Sequence, residues 1–151
     1  AATGGFHKVV LRYFFPYGVG TPNPMPHYVQ RGVTGEPIEV LASGSPRLNP
    51  LHVTDAVEAT VRALELGDSD VLNVAGTEVT TFAEIATLAA RRAGREPVLV
   101  RQSEEDAIPY YRSDVLADIG RMQERLRFTP KIRLREGLVE LIDNAIATYG
   151  S

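Results

Sequence analysis

Cysteine is missing from all 151 residues. Its absence excludes disulfides and thiolate chemistry and suits a reducing compartment, so a cytoplasmic location is the expectation. Histidine is scarce: His7, His27 and His52 stand far apart and form no sequence-local metal motif, so no metal is expected. No apolar run is long enough to span a bilayer, and no positively charged leader precedes a cleavable apolar segment, so no membrane partner is expected. Basic runs are lacking too. Sixteen Lys and Arg face 19 Asp and Glu, a net charge of -3, which argues against nucleic acid as a partner. Neither a glycine-rich dinucleotide fingerprint nor a P-loop occurs, so the main phosphate cradle of any cofactor would lie elsewhere. What remains is 44% hydrophobic, with length enough for one domain and its core.

The short lead AATGGFHK runs straight into VVLRYFF. That is either a true first strand or one preceded by further chain. Residues 8–15 are rich in β-branched and aromatic types and predict a buried strand. Pro16 cannot donate to a ladder and pushes Phe15 toward an extended shape, so Tyr17-Gly18 is expected to leave the sheet. A short helix follows over 26–34, ended near Gly35. Residues 37–42 read as a strand with Ile38, Val40 and Ala42 on one face, closed by an SGSP turn. Residues 48–53 form a weak strand, interrupted by Pro50 and suited to an edge. Asp55 then caps a helix with Glu58 three residues on; Val57, Val61 and Leu64 line its inner face, Glu58 pairs with Arg62, and Gly67 stops it. VLNVA at 71–75 is a covered strand, as in a parallel sheet. Thr81 and Glu84 open a helix with Ile85, Leu88 and Ala89 inside, stopped by Gly94. PVLVRQ is a strand. Short helices are expected at 113–120 and 121–127. A last helix over 134–149 turns Leu134, Leu138, Leu141, Ile142 and Ala145 inward. Mixed strands and helices without a repeat indicate an α/β or α+β chain, with ligand loops at strand ends.

Candidate site residues each have a bland reading beside the functional one. Tyr17 either closes a core, its hydroxyl finding one partner, or joins Phe15 and Pro16 as a wall for a flat ring. Arg12 inside the first strand needs a buried partner. Asn23 caps the following helix or touches ligand. Asn49 reads a polar ligand, and His52 is a satisfied histidine rather than a general base. Arg47 pairs with an anion or is solvated. Arg112 sits beside Tyr110 and Tyr111; its fork binds phosphate or carboxylate, or ties down a long loop. Asp114 is a helix cap or an arginine partner. Glu104, Glu105 and Asp106 face water.

Four elements in this order resemble the C-terminal half of extended short-chain dehydrogenase/reductases, the NAD-dependent epimerase/dehydratase family. They are Arg12-Tyr13-Phe14-Phe15-Pro16-Tyr17-Gly18-Val19, NPLHVTDAVEA, VLNVAGTEVTTFAEIA and LRFTPKIRLREGLVELI. The resemblance implies an α/β fold: the last strands of a Rossmann-type parallel sheet, with a small mixed α/β substrate-binding lobe. It implies that 1–151 is the C-terminal portion of an NAD(P)-binding domain whose N-terminal dinucleotide-binding half lies upstream. NAD is the implied cofactor, with NADP open. Phe14, Phe15 and Tyr17 would lie beside the nicotinamide. Asn23, Arg47, Asn49 and Arg112 would line a pocket for a small-molecule substrate, a sugar derivative. A homodimer is the implied assembly of the longer protein.

The sequence departs from the family pattern in three places. The asparagine of the first motif is Phe15 here. The arginine four residues before the histidine is Leu48, with Arg47 adjacent. The Tyr-x-x-x-Lys catalytic pair is not in the chain, so no catalytic residue is assigned and the segment alone is expected to be inactive. The implied reaction is hydride transfer in a sugar or nucleotide-sugar epimerase, dehydratase or dehydrogenase. The alternatives are a non-catalytic binding protein derived from that family, or a fragment without independent activity.

Overall fold

A computed structural model describes residues 6–44, 46–107 and 109–150, with the Tyr110 side chain left aside. The AATGG lead and Ser45 of the SGSP turn therefore lie outside the described residues. The chain runs β1 (Val9–Tyr13), β2 (Pro16–Tyr17), α1 (Pro24–Thr34), β3 (Ile38–Leu41), β4 (Arg47–Leu48), β5 (Leu51–His52), α2 (Val53–Ala63) and β6 (Asp70–Val74). It continues through β7 (Thr80–Thr81), α3 (Phe82–Arg92), β8 (Leu99–Gln102), a 3-10 turn at Pro109–Tyr111, α4 (Gly120–Leu126) and α5 (Leu134–Tyr149). Among the described residues the strands form pairs: β1 with β6, β2 with β5 and β3 with β8 in parallel, β4 with β7 antiparallel. No helix among them is long and apolar enough to cross a membrane.

Two cores organise these elements. Met25, Val29 and Val33 of α1, Ile85 and Ala89 of α3, and Leu138, Leu141 and Ile142 of α5 meet around Tyr17 and Leu48. The second core packs Ala56, Ala59 and Ala63 of α2 with Leu72 and Val74 of β6 and Met122, Leu126 and Phe128 around α4. Several helix signals are realised as read. Asn23 caps α1 by accepting from Met25 N, and Gly35 ends it at φ 77. Thr81 and Glu84 form a reciprocal capping box on α3. The α5 span and its inward stripe agree with the periodicity.

The differences have physical causes. Phe15 is not extended but stands at φ 44, and Pro16-Tyr17 stays in a ladder instead of leaving it. Phe14 N still bonds Val74 O at 3.0 Å, whereas the Phe15 carbonyl accepts from Leu51 N at 3.3 Å. The chain thus changes partner strand at Phe15, and the kink makes the change possible. Pro16, first in its short strand, is tolerated there. Arg12 is exposed and needs no buried partner. On β3 the buried residues are Ile38 and Leu41, while Ala42 has already entered the turn.

His52, not Asp55, caps α2: its Nδ1 accepts from Thr54 N at 3.3 Å. Asp55 is buried in the first turn, where its carboxylate accepts from Lys131 N and Ile132 N and anchors the approach to α5. The inner face of α2 is alanine. Val57, Val61 and Leu64, expected inside, are 58%, 52% and 81% exposed. The Glu58–Arg62 pair holds at 2.7 Å, and Arg62 also reaches the carbonyls of Leu126 and Arg127 beside α4. No helix forms at 113–120. There Val115 N donates to Arg47 O and Ala117 N to the Asn49 side chain, so the segment runs extended beside β4 until α4 starts at Gly120.

Candidate functional site: an aromatic cavity between β3, α3 and the 103–111 loop

A capping box fixes where α3 begins and sets Phe82 at its first turn, pointing back toward α1. Gly32 lets the two helices approach: a Cβ there would meet Ala86 O at 2.4 Å. Tyr28, one helical turn before Gly32, consequently stacks on Phe82 with ring centroids 4.4 Å apart and planes 10° from parallel. Phe15 and Tyr111 contact Phe82 edge-on, at 5.8 and 5.6 Å. Such offset and T-shaped pairs follow the ring quadrupoles and hold the cluster rigid.

On this cluster opens a cavity of about 140 Å³. Tyr28, Phe82 and Tyr111 supply its apolar wall, with Val40 and Leu41 of β3; Glu39, Gln102 and Asp106 supply polar atoms. Burial raises the Tyr28 phenol above its usual pKa, with Tyr111 and Glu39 adding to the shift, so the hydroxyl stays a neutral donor. A flat, partly apolar group with polar edges suits such a site.

The sequence-derived residues lie around this cavity unevenly. Phe15 touches its aromatic wall through Phe82, and Phe14 sits at the C-terminal end of β1. Tyr17 is only 1% exposed and packs in the first core, its hydroxyl donating to Leu134 O at 3.3 Å. Burial, then Glu78, Asp55 and Glu136, drive its pKa well above the ordinary phenol range. Asn23 spends its amide on Met25 N, Pro16 O and Thr21 Oγ1. Asn49 is buried, bonded to Gly76 O and to both backbone polar groups of Ala117. Arg47, next to cavity-lining Pro46, grips Asp114 at 2.8 and 2.6 Å. This realises the reading of Asp114 as an arginine partner. Arg112 donates to Ala107 O and Glu105 O and ties the 103–111 loop across the site. His52 is buried, caps α2, and lies 3.8 Å from Glu140, as a satisfied histidine would. Tyr28, Glu39, Phe82 and Gln102 were missed by sequence reasoning. The capping box before Phe82 and the Tyr28/Gly32 spacing were the available signals. Among the described residues no group of acidic residues and histidines is placed to hold a metal ion.

Parallel strand pairs joined through helices, with a lobe that carries an aromatic pocket, define part of a Rossmann-type fold. Residues 1–75 match the sequence model of the NAD dependent epimerase/dehydratase family. The dTDP-4-dehydro-6-deoxy-D-allose reductase of Streptomyces bikiniensis is 35% identical over 116 residues, which cover 77% of this chain and 34% of that protein. MoeE5, solved with UDP-glucuronic acid and NAD, superposes with a TM-score of 0.78 at 27% identity, over 94% of this chain and 48% of its own. The UDP-glucose 4-epimerase of Thermotoga maritima, solved with UDP-glucose, gives 0.71 at 26% identity, over 93% and 46%. The chain belongs to the NAD-dependent epimerase/dehydratase family. It spans between about a third and a half of the length of these relatives.

Proposed function

We propose that residues 1–151 are the C-terminal, substrate-binding portion of an NAD(P)-dependent enzyme acting on nucleotide sugars by hydride transfer. The observation that carries this reading is the Tyr28–Phe82–Tyr111 cavity, on a fold shared with proteins solved with UDP-sugars. In this reading the cavity takes the base. The diphosphate lies toward Arg47 and Arg112, which flank the lining residues Pro46 and Ala107 and would trade Asp114 or backbone carbonyls for phosphate oxygens. Asn23 and Asn49 act one step back, holding the loops from which the pocket is built.

The fit to NAD is partial. Phe14 and Phe15 stand at the C-terminal end of a parallel strand, where α/β folds receive ligands, and suit one side of a nicotinamide, with Tyr17 packed behind. The chain's sequence has no glycine-rich phosphate cradle. When bound, the dinucleotide supplies the hydride carrier; these residues contribute a wall that orients the ring and excludes water.

The remainder of the cofactor site has a place to dock. Among the described residues β1 pairs only with β6, so its other edge is open. Val57, Val61 and Leu64 form an exposed stripe on α2, away from the Arg62 flank that meets α4. In this reading a further parallel strand and its helix cover both, as part of the dinucleotide-binding half, and any homodimer is built on the longer protein. Calorimetry on the 151-residue chain tests the proposal. Binding of a nucleoside diphosphate sugar, without turnover and without measurable NAD affinity, is the expected result. Tight NAD binding by these residues alone, or no nucleotide-sugar binding, refutes it.

A further inference from the structure

The cavity carries charge of one sign. Its described lining includes the acidic residues Glu39 and Asp106 and no lysine, arginine or histidine. Asp106 accepts from Ser103 Oγ at 2.6 Å, which leaves its other oxygen uncommitted by that bond. Glu39 is an exposed residue of β3 at the rim of this lining. It lies close enough to the Tyr28 phenol to add to the rise in that group's pKa. Arg47 is occupied by Asp114, and Arg112 by the carbonyls of Glu105 and Ala107.

Such a lining repels phosphate and accepts hydrogen bonds. Uracil and thymine offer one ring N–H set between two carbonyl oxygens, so a carboxylate on that edge gains one bond and faces lone pairs on both sides. Guanine offers a ring N–H beside an amino group, two adjacent donors that one carboxylate accepts together. A bidentate, charge-assisted pair of this kind is both strong and directional. A pocket that leaves a carboxylate facing carbonyl oxygens discriminates by repulsion as well as by attraction.

We propose that Glu39 makes this cavity selective for a nucleoside diphosphate whose base presents two adjacent N–H donors, a guanine, over uracil or thymine. The inference rests on the reading of the cavity as the base site. It differs from the uridine and thymidine nucleotides that the relatives' names carry.

Calorimetric titration of the chain with GDP, UDP and dTDP tests it, alongside Glu39→Gln. GDP is expected to bind roughly 5- to 150-fold tighter than UDP or dTDP, the range for one bidentate contact to a base. Glu39→Gln, which keeps shape and removes charge at an exposed position, is expected to abolish that preference, and Glu39→Asp to retain part of it. UDP or dTDP binding as tightly as GDP overturns the selectivity and leaves the base site standing. An unchanged preference in folded Glu39→Gln overturns the role of Glu39. Failure of all three nucleotides to bind overturns the base site itself, and this inference with it.

Discussion

Replacing Phe15 by alanine and, separately, by glycine divides the work of its ring from the demand of its backbone. At φ 44 the residue stands in the left-handed region, where a Cβ costs roughly 1–2 kcal/mol. Its ring sets against this an edge contact with Phe82, worth about 0.5–1.5 kcal/mol beyond the burial of a half-covered aromatic. Both substitutions discard the ring. Only glycine also relieves the backbone, and it gives back about 0.4–1 kcal/mol through the freer unfolded chain. The glycine variant is therefore expected to be more stable than the alanine variant by roughly 0.5–1 kcal/mol, an inversion of the usual order within a sheet. For a domain of this length that is about 1–4 °C in melting temperature. Thermal unfolding followed by circular dichroism reads the difference, with asparagine expected between the two because it tolerates the left-handed region. Alanine more stable than glycine would refute the claim that the switch of partner strand at Phe15 imposes the conformation.

Gly137 on α5 faces Tyr17 and His52, where an added Cβ would lie 2.5 Å from Tyr17 Oη and 2.7 Å from His52 Cδ2. Gly137→Ala is expected to cost about 1–3 kcal/mol despite its better helix propensity, and Tyr17→Phe in the same chain to recover part of the loss in a double-mutant cycle read by urea unfolding. Additive costs would show that the two groups do not collide. Asp143 has its pKa lowered chiefly by its hydrogen bonds to Arg92, and Asp70 by Arg121 first among several groups. A depressed carboxylate contributes above its unfolded value, about 3.9, and the contribution fades as pH falls through the folded value. Stability is thus expected to decline below about pH 4, and Asp143→Asn to flatten that decline in a pH series of melting temperatures.

How far the sequence could be read depended on whether a signal was local. Thr81 with Glu84, Asn23 before a proline-led helix and the 134–149 periodicity each act within one or two turns, and each is realised. On α2 the local pattern misled. Val57, Val61 and Leu64 form the more hydrophobic stripe, yet Ala56, Ala59 and Ala63 face the sheet, where small side chains fit over Leu72 and Val74. The exposed valines make sense when the open edge of β1 is seen beside them. An amphipathic pattern reports every apolar face, including one that the proposed dinucleotide-binding half would cover. Asp55 misled for a related reason: its partners, Lys131 N and Ile132 N, are more than 70 residues away, and no spacing rule reaches that far.

The site residues divide along the same line. The asparagine of the family pattern at position 15 suits a positive φ, but phenylalanine there and proline after it both argue for extension, so the kink at Phe15 was not legible in this sequence. The arginines gave no sign either. Arg47 and Arg112 have the right chemistry for a diphosphate, and the structure shows each already satisfied, by Asp114 across 67 residues and by the carbonyls of the adjacent loop. A guanidinium bound to a carboxylate or to carbonyls is held in the planar geometry that phosphate also uses, and near the surface the exchange of one partner for the other costs little. The pairing of Arg47 and Arg112 therefore does not conflict with the binding role proposed for them. What identifies the pocket is the feature such exchange cannot mimic: Tyr28 stacked on Phe82 because Gly32 leaves α1 room to close on α3.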